Sequence, residues 1–363
     1  MYQQHSSGPS QSFKPVWILA HESQESVAKD IAEYCRKAQL ELAKAEQKSC
    51  QSCGHSARST RSIDYKPVAA WKKFADGFPN LFIERVKELA HKDVILLASF
   101  HSVEVIFEQM SMIYAIPRYL VHSLTVILPY FPTGTMERID LEGQVATART
   151  LATMLSTAPL TSGGPVQLVI FDIHALQERF YFSNNVEMRL ESAVPLLKLE
   201  LDKRRRAEGE SGGGASSWAI AFPDDGAEKR FSKLFPKEYE RIVCAKQREG
   251  ERRIVRLKEG DPKNRHVVLV DDLIQTGGTV MESAKLLSSL GASSVSAYVT
   301  HAVFPQESWR RFTEGRCPLS HFWITDSLPH ARHIARHPPF ELLPLAPLIA
   351  DVLLGFDLRR GLD

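Results

Sequence analysis

The sequence predicts an α/β protein built from two tandem domains of one type, each with a central parallel sheet flanked by helices. Three observations lead to this prediction. Short apolar segments such as 94–99 and 166–173 lack the alternation of half-exposed strands, which is typical of strands buried on both faces. These segments alternate with stretches that carry apolar residues at helical spacing, as in βαβ units. The chain has 363 residues, enough for two sizeable cores, and the alternation begins again after residue 188.

The first half of the chain follows this alternation in order. The predicted elements are a strand at 16–20, a helix at 22–47, a strand at 94–99, a helix at 103–113, a strand at 124–131, a helix carrying Val145, Ala148, Ala152 and Leu155, and a strand at 166–173. Each helix places its apolar residues on one side, and the second helix is expected to end near Pro117. Residues 48–65 are polar and predict a surface insertion, and residues 74–80 predict a turn.

The second half repeats the pattern after a loop predicted at 202–216, where a basic run at 203–206 precedes three glycines. Such a run is more often a solvated patch than a binding site. The predicted elements are strands at 218–222, 241–245 and 252–257, a hairpin connection at 246–251, a strand from 267, a helix ended by Gly291, a strand at 295–300, a helix at 307–312, a strand at 322–325 and a helix at 345–354.

These elements predict a disordered tail at 1–13, an N-terminal α/β domain at 14–188 and a C-terminal α/β domain at 189–339. The C-terminal segment 340–363 is expected to return to the first domain.

Composition gives no global charge signal. Lys plus Arg number 45 against 43 Asp plus Glu, so the sequence predicts neither a nucleic-acid partner nor a membrane partner. No apolar run reaches the length of a membrane span and the N-terminus lacks a signal-peptide core. We therefore expect a cytoplasmic protein and leave an organellar form open. The five scattered cysteines disfavour a disulfide framework, and the CxxC at Cys50 and Cys53 has no second half to complete a zinc site.

Residues 267–279 carry the strongest functional signal. Four apolar residues are followed by Asp271 and Asp272, then by Thr-Gly-Gly-Thr at 276–279 and the apolar face of a helix. Glycines allow close approach of a ligand to the backbone, and free N–H groups at a helix start attract an anion. Carboxylates just upstream can accept hydrogen bonds from sugar hydroxyls or help to hold a metal. This order of features predicts a site for a phosphorylated sugar.

Seven strings in one order resemble the ribose-phosphate diphosphokinase (phosphoribosyl-diphosphate synthetase) family, and some of them resemble its plant and algal type. They are Phe-Ala-Asp-Gly at 74–77, Pro-Tyr-Phe at 129–131, Asp-Ile-His-Ala at 172–175, Pro-Asp at 223–224, Lys-Gln-Arg at 246–248, the segment 267–279 and Thr-His-Ala-Val-Phe at 300–304. The resemblance implies two phosphoribosyltransferase-type domains with the active site between them.

The family reaction moves the β,γ-diphosphoryl group of ATP to the anomeric hydroxyl of ribose 5-phosphate, and its product supplies nucleotide, histidine and tryptophan biosynthesis. By resemblance, Lys246 and Arg248 are catalytic cations that contact the transferring phosphates. Asp271 and Asp272 hold the ribose hydroxyls. The ribose 5-phosphate site is completed by the loop residues Gln275, Thr276, Gly277, Gly278 and Thr279.

The resemblance also implies a nucleotide side of the site and a Mg²⁺ cofactor. Asp224 matches a metal-linked aspartate, and His174 matches a position assigned to ATP and metal. Imidazole is an unusual magnesium ligand, so a hydrogen bond from His174 to phosphate or metal-bound water is the preferred role. Asp76 matches part of a nucleotide pocket that lies at a subunit contact, which implies a homo-oligomer.

Three departures from the bacterial and animal pattern concern specificity. Phe78 stands where Glu follows Asp-Gly, Thr135-Met136-Glu137 replaces Arg-Gln-Asp, and Gln275 replaces an aspartate. By resemblance to the plant type, we expect wider nucleotide use and weaker dependence on inorganic phosphate.

Two other functions are compatible with the phosphate motif. One is a catalytically silent homologue that binds other synthetase subunits, although the cations and the acidic pair are present. The other is a base phosphoribosyltransferase, although such enzymes need one domain and lack the Lys-x-Arg loop.

Overall fold

The structure, a computed structural model, describes residues 15–50, 61–207, 209, 217–249, 252–314 and 317–359. The predicted tail at 1–13, Cys53 of the CxxC motif and most of the loop after residue 207 lie outside the described residues. The described residues form two mainly parallel sheets and one small separate hairpin.

The first sheet has six strands, all parallel. In chain order the first half contains β1 (Val16–Ala20), α1 (Glu25–Cys50), β2 (Ile63–Tyr65), β3 (Ala69–Lys73), β4 (Pro79–Ile83), β5 (Asp93–Leu97), α2 (Val103–Ala115), β6 (Ser123–Leu128), α3 (Thr147–Ser156), β7 (Val166–Phe171) and β8 (Val186–Glu191). The strand order is β2-β1-β5-β6-β7-β8, and β3 and β4 form the separate antiparallel hairpin. Trp17 and Ile18 enter different cores on the two faces of this sheet, which explains the continuous apolar runs.

The second sheet has seven strands. The second half contains α4 (Val194–Ala207), β9 (Trp218–Phe222), α5 (Asp225–Phe231), β10 (Glu240–Glu249), β11 (Arg252–Glu259), β12 (His266–Ile274), α6 (Gly278–Ser289), β13 (Ser294–Ala302), β14 (Phe322–Thr325), α7 (Ala331–Ile334), β15 (Phe340–Leu343) and α8 (Ala346–Arg359). The order is β11-β10-β9-β12-β13-β14-β15, and only the β10–β11 pair is antiparallel. Two α/β halves with central parallel sheets confirm the predicted fold class.

The C-terminal segment is shared between the two halves. β15 pairs with β14, and Phe340 stacks on Phe322 with ring centroids 4.9 Å apart, so this strand belongs to the second sheet. α8 instead packs with α1, and Leu345 and Ile349 lie in the same core cluster as β1. The predicted boundary after residue 188 falls inside β8, which pairs with β7 as far as Glu191. The division into two domains stays a prediction.

The loop predicted from residue 202 begins later, because α4 continues to Ala207. The helix persists because Val194, Leu197 and Leu201 bury one face in a core cluster. Arg205 of the basic run is 8% exposed, and its Nη1 donates to Glu238 Oε1 at 2.7 Å. The prediction of a solvated basic patch is therefore wrong for Arg205.

Four other elements differ from the predictions. β12 continues through the acidic pair to Ile274, because β13 pairs with it as far as Ala302. Residues 246–249, predicted as part of the hairpin connection, are themselves paired with β11, so the connection is shorter than predicted. Residues 63–65 of the predicted insertion form β2 on β1. The helix predicted at 307–312 is a 3-10 helix, Pro305–Phe312, with left-handed backbone at two of its residues.

No helix within the described ranges combines the length and the apolar character needed to cross a membrane. The described Cys35 and Cys244 are buried, and Cys244 and Cys317 are free thiols.

Candidate active site

The carboxyl ends of the two sheets meet at a buried polar contact. Asp172 follows β7 in the left-handed backbone region, with φ of 37°, and is 1% exposed. Thr300 Oγ1 on β13 donates to Asp172 Oδ2 at 2.6 Å. The adjacent His301 places Nε2 3.1 Å from the carbonyl oxygen of Phe171. Because buried polar groups are costly unless they are paired, these bonds hold the two strand ends in a defined relative position.

The Thr-Gly-Gly-Thr turn joins β12 to α6 at the same edge of the second sheet. Gly277 has φ of 77°, a conformation that favours glycine. A β-carbon on Gly277 would also lie 2.5 Å from Phe312 Cε2, so steric contact independently requires glycine. α6 begins at Gly278 without a side-chain cap, which leaves the first N–H groups of the helix available to an anion.

The acidic pair on β12 lies beside this turn and is linked to the first sheet. Asp272 is 5% exposed, and the Nδ1–H of His174 donates to its Oδ2 at 2.6 Å. Burial alone would raise the pKa of Asp272, but the hydrogen bond and charge of His174 hold that pKa below its ordinary value. The hydrogen bond with Asp272 outweighs the burial of His174 and raises the pKa of the imidazole. The contact therefore favours the ionised form of Asp272 and the protonated form of His174.

The pKa of Asp271 is shifted in the opposite direction. Burial, together with the charges of Asp272 and Asp224, raises the pKa of Asp271 well above its ordinary value. Its Oδ1 accepts a hydrogen bond from the backbone N–H of Asp272 at 3.0 Å. The pKa values of the two neighbouring carboxyl groups are therefore shifted in opposite directions, which favours the neutral form of Asp271 and the ionised form of Asp272.

Asp224 caps the helix that follows β9. Its Oδ1 accepts hydrogen bonds from the backbone N–H groups of Gly226 and Ala227, each at 3.1 Å. The negative charge of Asp224 is one of the contributions that raise the pKa of Asp271, after burial and the charge of Asp272. The structure therefore brings Asp224, the acidic pair and His174 into one region.

Lys246 and Arg248 lie on the hairpin above the same sheet edge. β10 pairs with β9 only as far as Val243, opposite Phe222, and Asp224 follows two residues later. The backbone of Lys246 and Arg248 therefore extends past the end of β9 in the direction of Asp224. Only the backbone of these two residues is described.

Asp76 lies apart from these groups, at the turn between β3 and β4. Its Oδ1 accepts a hydrogen bond from the N–H of Phe78 at 3.1 Å. Phe74 and Phe78 beside it are 55% and 65% exposed. The hairpin therefore presents an acidic turn with aromatic side chains on the surface of the single chain.

Two residues that contact the site, Arg230 and Glu178, are not among the predicted site residues. Arg230 Nη1 on α5 donates to the carbonyl oxygen of His174 at 3.3 Å and its Nη2 lies 3.8 Å from Asp172 Oδ1. An arginine near the end of a short helix carries no sequence signal of this role. Glu178 is 1% exposed, and its Oε1 accepts from Ala175 N–H at 2.9 Å. Burial raises the pKa of Glu178 to about 7.

The loop that replaces Arg-Gln-Asp packs against His174 and Glu178. A β-carbon on Gly134 would lie 2.8 Å from His174 Cβ and 3.3 Å from Glu178 Oε1. Thr135 and Met136 follow in a short 3-10 helix, Gly134–Met136. Thr135 and Met136, which stand where other family members have Arg-Gln, thus lie next to the predicted nucleotide side of the site.

Comparisons with known proteins match both halves of the chain. Residues 16–158 match a family model described as the N-terminal domain of ribose phosphate pyrophosphokinase, and residues 215–331 match the phosphoribosyl transferase domain. The crystal structure of phosphoribosylpyrophosphate synthetase from Mycobacterium smegmatis superposes with a TM-score of 0.69 at 21% identity, covering 94% of this chain and 99% of that one. At this identity the superposition supports the fold.

Plant relatives are much closer in sequence. Ribose-phosphate pyrophosphokinase 3, mitochondrial, from Spinacia oleracea is 52% identical over 304 residues, covering 82% of this chain and 72% of the relative. Ribose-phosphate pyrophosphokinase 4 from Arabidopsis thaliana is 49% identical over 312 residues, covering 84% and 90%. The resemblance to the plant type is confirmed, and the chain belongs to the ribose-phosphate pyrophosphokinase family.

Proposed function

We propose that this chain transfers the β,γ-diphosphoryl group of ATP to the anomeric hydroxyl of ribose 5-phosphate. The anomeric hydroxyl loses its proton to solvent as its oxygen forms a bond to the β-phosphorus, the bond between that phosphorus and the α,β-bridging oxygen breaks, and AMP leaves. The observation that carries this proposal is the 2.6 Å contact between His174 and Asp272. It joins a phosphate turn and acidic pair on one sheet to the predicted nucleotide side on the other.

The acceptor half of the site is formed by β12, the turn and α6. The helix N-terminus binds the 5-phosphate, with Thr276, Gly277, Gly278 and Thr279 around it. Asp272, whose ionised form is favoured, accepts a hydrogen bond from a ribose hydroxyl, and Asp271, whose neutral form is favoured, can both donate and accept one. Holding the sugar at both ends orients the anomeric hydroxyl for transfer.

Gln275 adjoins this turn, and its side chain is exposed. Its carbonyl oxygen accepts a hydrogen bond from Ser308 Oγ at 3.0 Å, which anchors the start of the turn. A neutral amide here leaves the phosphate site without the negative charge that an aspartate would add.

Cations supply the nucleotide half of the site. Phosphoryl-group transfer depends on positioned positive charge more than on acid or base chemistry. The contact with Asp272 favours the protonated form of His174, which supports a hydrogen bond from this residue to a phosphate or to metal-bound water rather than direct metal ligation. Lys246 and Arg248 contact the transferring phosphates in this proposal, since their backbone extends past the sheet edge at Asp224.

The donor set fits Mg²⁺. No group of three or more His, Cys, Asp or Glu within the described residues could hold a metal alone. Magnesium does not need such a group, because it usually binds one or two carboxylates and completes its shell with waters and substrate phosphates. Asp224, whose charge already acts on Asp271, would hold the ion with ATP. When bound, Mg²⁺ partly neutralises the triphosphate.

The homo-oligomer remains part of the proposal. Asp76 lies at an exposed turn with Phe74 and Phe78 on the surface, which supports a nucleotide pocket completed at a subunit contact. Light scattering on the purified protein tests this point, because a monomer at assay concentrations would contradict it.

The cytoplasm remains the proposed compartment. Relatives named mitochondrial and chloroplastic make an organelle the alternative. Imaging of the tagged full-length protein separates the two.

The deciding experiment incubates purified protein with Mg²⁺, ATP and ribose 5-phosphate and measures AMP and phosphoribosyl diphosphate by chromatography. Equimolar formation of both supports the proposal. A silent homologue would form neither under any phosphate or nucleotide condition. A base phosphoribosyltransferase would instead consume phosphoribosyl diphosphate when a free base is added.

A further inference from the structure

The 3-10 helix Pro305–Phe312 packs directly on the phosphate turn. Ser308 Oγ donates to the carbonyl oxygen of Gln275 at 3.0 Å. The ring of Phe312, 1% exposed, occupies the space that a side chain on Gly277 would need. This helix therefore has a defined position relative to the first residues of α6, and its other side chains have defined positions near the turn.

Arg311 is the cation that this helix brings to the turn. Its Nη1 lies 4.0 Å from the position of a β-carbon on Gly278, the first residue of α6. Its guanidinium has no acidic partner in the part of the chain that the structure describes. A long cationic side chain thus reaches the N-terminus of the helix predicted to bind a phosphate.

The preceding residue provides the contrast. Arg310 Nε donates to Glu307 Oε2 at 2.9 Å, and its guanidinium lies over the Trp309 ring at 5.0 Å. Arg310 and Arg311 are both exposed. Arg310 contacts residues of its own helix, whereas Arg311 lies at the turn. Variants of the two residues therefore distinguish a specific contact with phosphate from an effect of general surface charge.

Charge explains why an arginine is useful at this position. The N-terminus of a helix contributes about half an elementary charge, which only partly balances a phosphate dianion. A planar guanidinium can donate two parallel hydrogen bonds to phosphate oxygens. Because Gln275 is neutral, no carboxylate at that position competes for the guanidinium.

We propose that Arg311 binds the 5-phosphate of ribose 5-phosphate together with the N-terminus of α6. The inference rests on the proposed function, because it assigns another contact to the same acceptor site. It predicts that Arg311 affects affinity for the phosphorylated sugar and leaves affinity for ATP unchanged.

The test compares the full-length variants R311A, R311K and R310A with the wild-type protein. In R311A the KM for ribose 5-phosphate should rise about 10- to 100-fold, as expected for loss of a charge-assisted contact, with the KM for ATP unchanged. R311K should recover part of the loss, because lysine keeps the charge without the fork. R310A should match the wild type.

A binding measurement without turnover completes the test. Ribose 5-phosphate should raise the Tm of the wild type and R310A, and the same concentration should raise that of R311A much less. Equal Tm rises and equal KM values for R311A and the wild type would overturn the inference, as would equal losses in R311A and R310A. If the wild type neither binds ribose 5-phosphate nor forms AMP, the proposed function fails, and the inference fails with it.

Discussion

Adding one methyl group at Gly277 should disrupt both the stability and the sugar-phosphate affinity of this protein. A β-carbon there would lie 2.5 and 2.6 Å from two atoms of the buried Phe312 ring, in a backbone with φ of 77°. The left-handed conformation costs a non-glycine residue about 1–2 kcal/mol. Forcing the ring aside adds about 1–3 kcal/mol of overpacking. We expect G277A to lose about 2–5 kcal/mol of stability from these two effects.

Gly278 is the matched control. It has no left-handed backbone, and the nearest atom to its β-carbon position is Arg311 Nη1 at 4.0 Å. G278A should therefore keep wild-type stability but hinder close approach of the phosphate, raising the KM for ribose 5-phosphate. The two glycines are adjacent in sequence but are expected to differ in which property they control.

Urea unfolding followed by circular dichroism measures the stability difference, and initial rates measure the KM values. The double variant G277A/F312L should recover part of the steric loss but none of the backbone cost. Wild-type stability and wild-type KM in G277A would refute the reasoning that the turn is held against Phe312. A loss of stability in G278A equal to that in G277A would refute it as well.

Three further predictions concern the nucleotide side. The pKa of Glu178 is raised from 4.5 to about 7, so the folded protein keeps a proton that the unfolded chain loses, and stability falls as pH rises through this range. The free energy of unfolding, measured with urea, should be about 3 kcal/mol higher for E178Q than for the wild type at pH 8. At pH 4.5 the two proteins should be nearly equal. Equal unfolding curves at pH 8 would contradict this prediction. The methyl group of G134A would lie 2.8 Å from His174 Cβ. This variant should lower kcat at least tenfold, while ribose 5-phosphate should still raise its Tm. An unchanged kcat would show that the loop does not position the histidine. K246A should lower kcat about 100-fold or more with little change in the KM for ribose 5-phosphate; a loss confined to KM would remove its transition-state role.

Much of the fold could be predicted because it depends on local patterns. Buried parallel strands read as apolar runs, and the helices between them carry apolar faces, so β7, β12 and α2 were predicted within a few residues. Strand ends were harder to predict, since β12 continues through two aspartates only because β13 pairs with it to Ala302. α4 continues for a similar reason, as its buried face outweighs the polar run.

The candidate site could be predicted where its residues form a string and not where they meet through space. The residues of the turn at 276–279 are adjacent in the chain, so a phosphate site could be predicted there from the sequence alone. His174 and Asp272 are 98 positions apart, and nothing in either segment encodes their contact. Arg311 has no motif of its own and becomes notable only because Phe312 packs on Gly277. Such residues require the tertiary structure.

The central claim is transfer of a diphosphoryl group to the anomeric oxygen, and ³¹P NMR of one reaction mixture tests it most directly. With Mg²⁺, ATP and ribose 5-phosphate, we predict that the ATP resonances are replaced by those of AMP and by two coupled diphosphate resonances, with phosphorus–proton coupling to the anomeric hydrogen. Formation of ADP and a sugar monophosphate ester at that carbon would show single phosphoryl transfer. That result, or an unchanged ATP spectrum, would contradict the account.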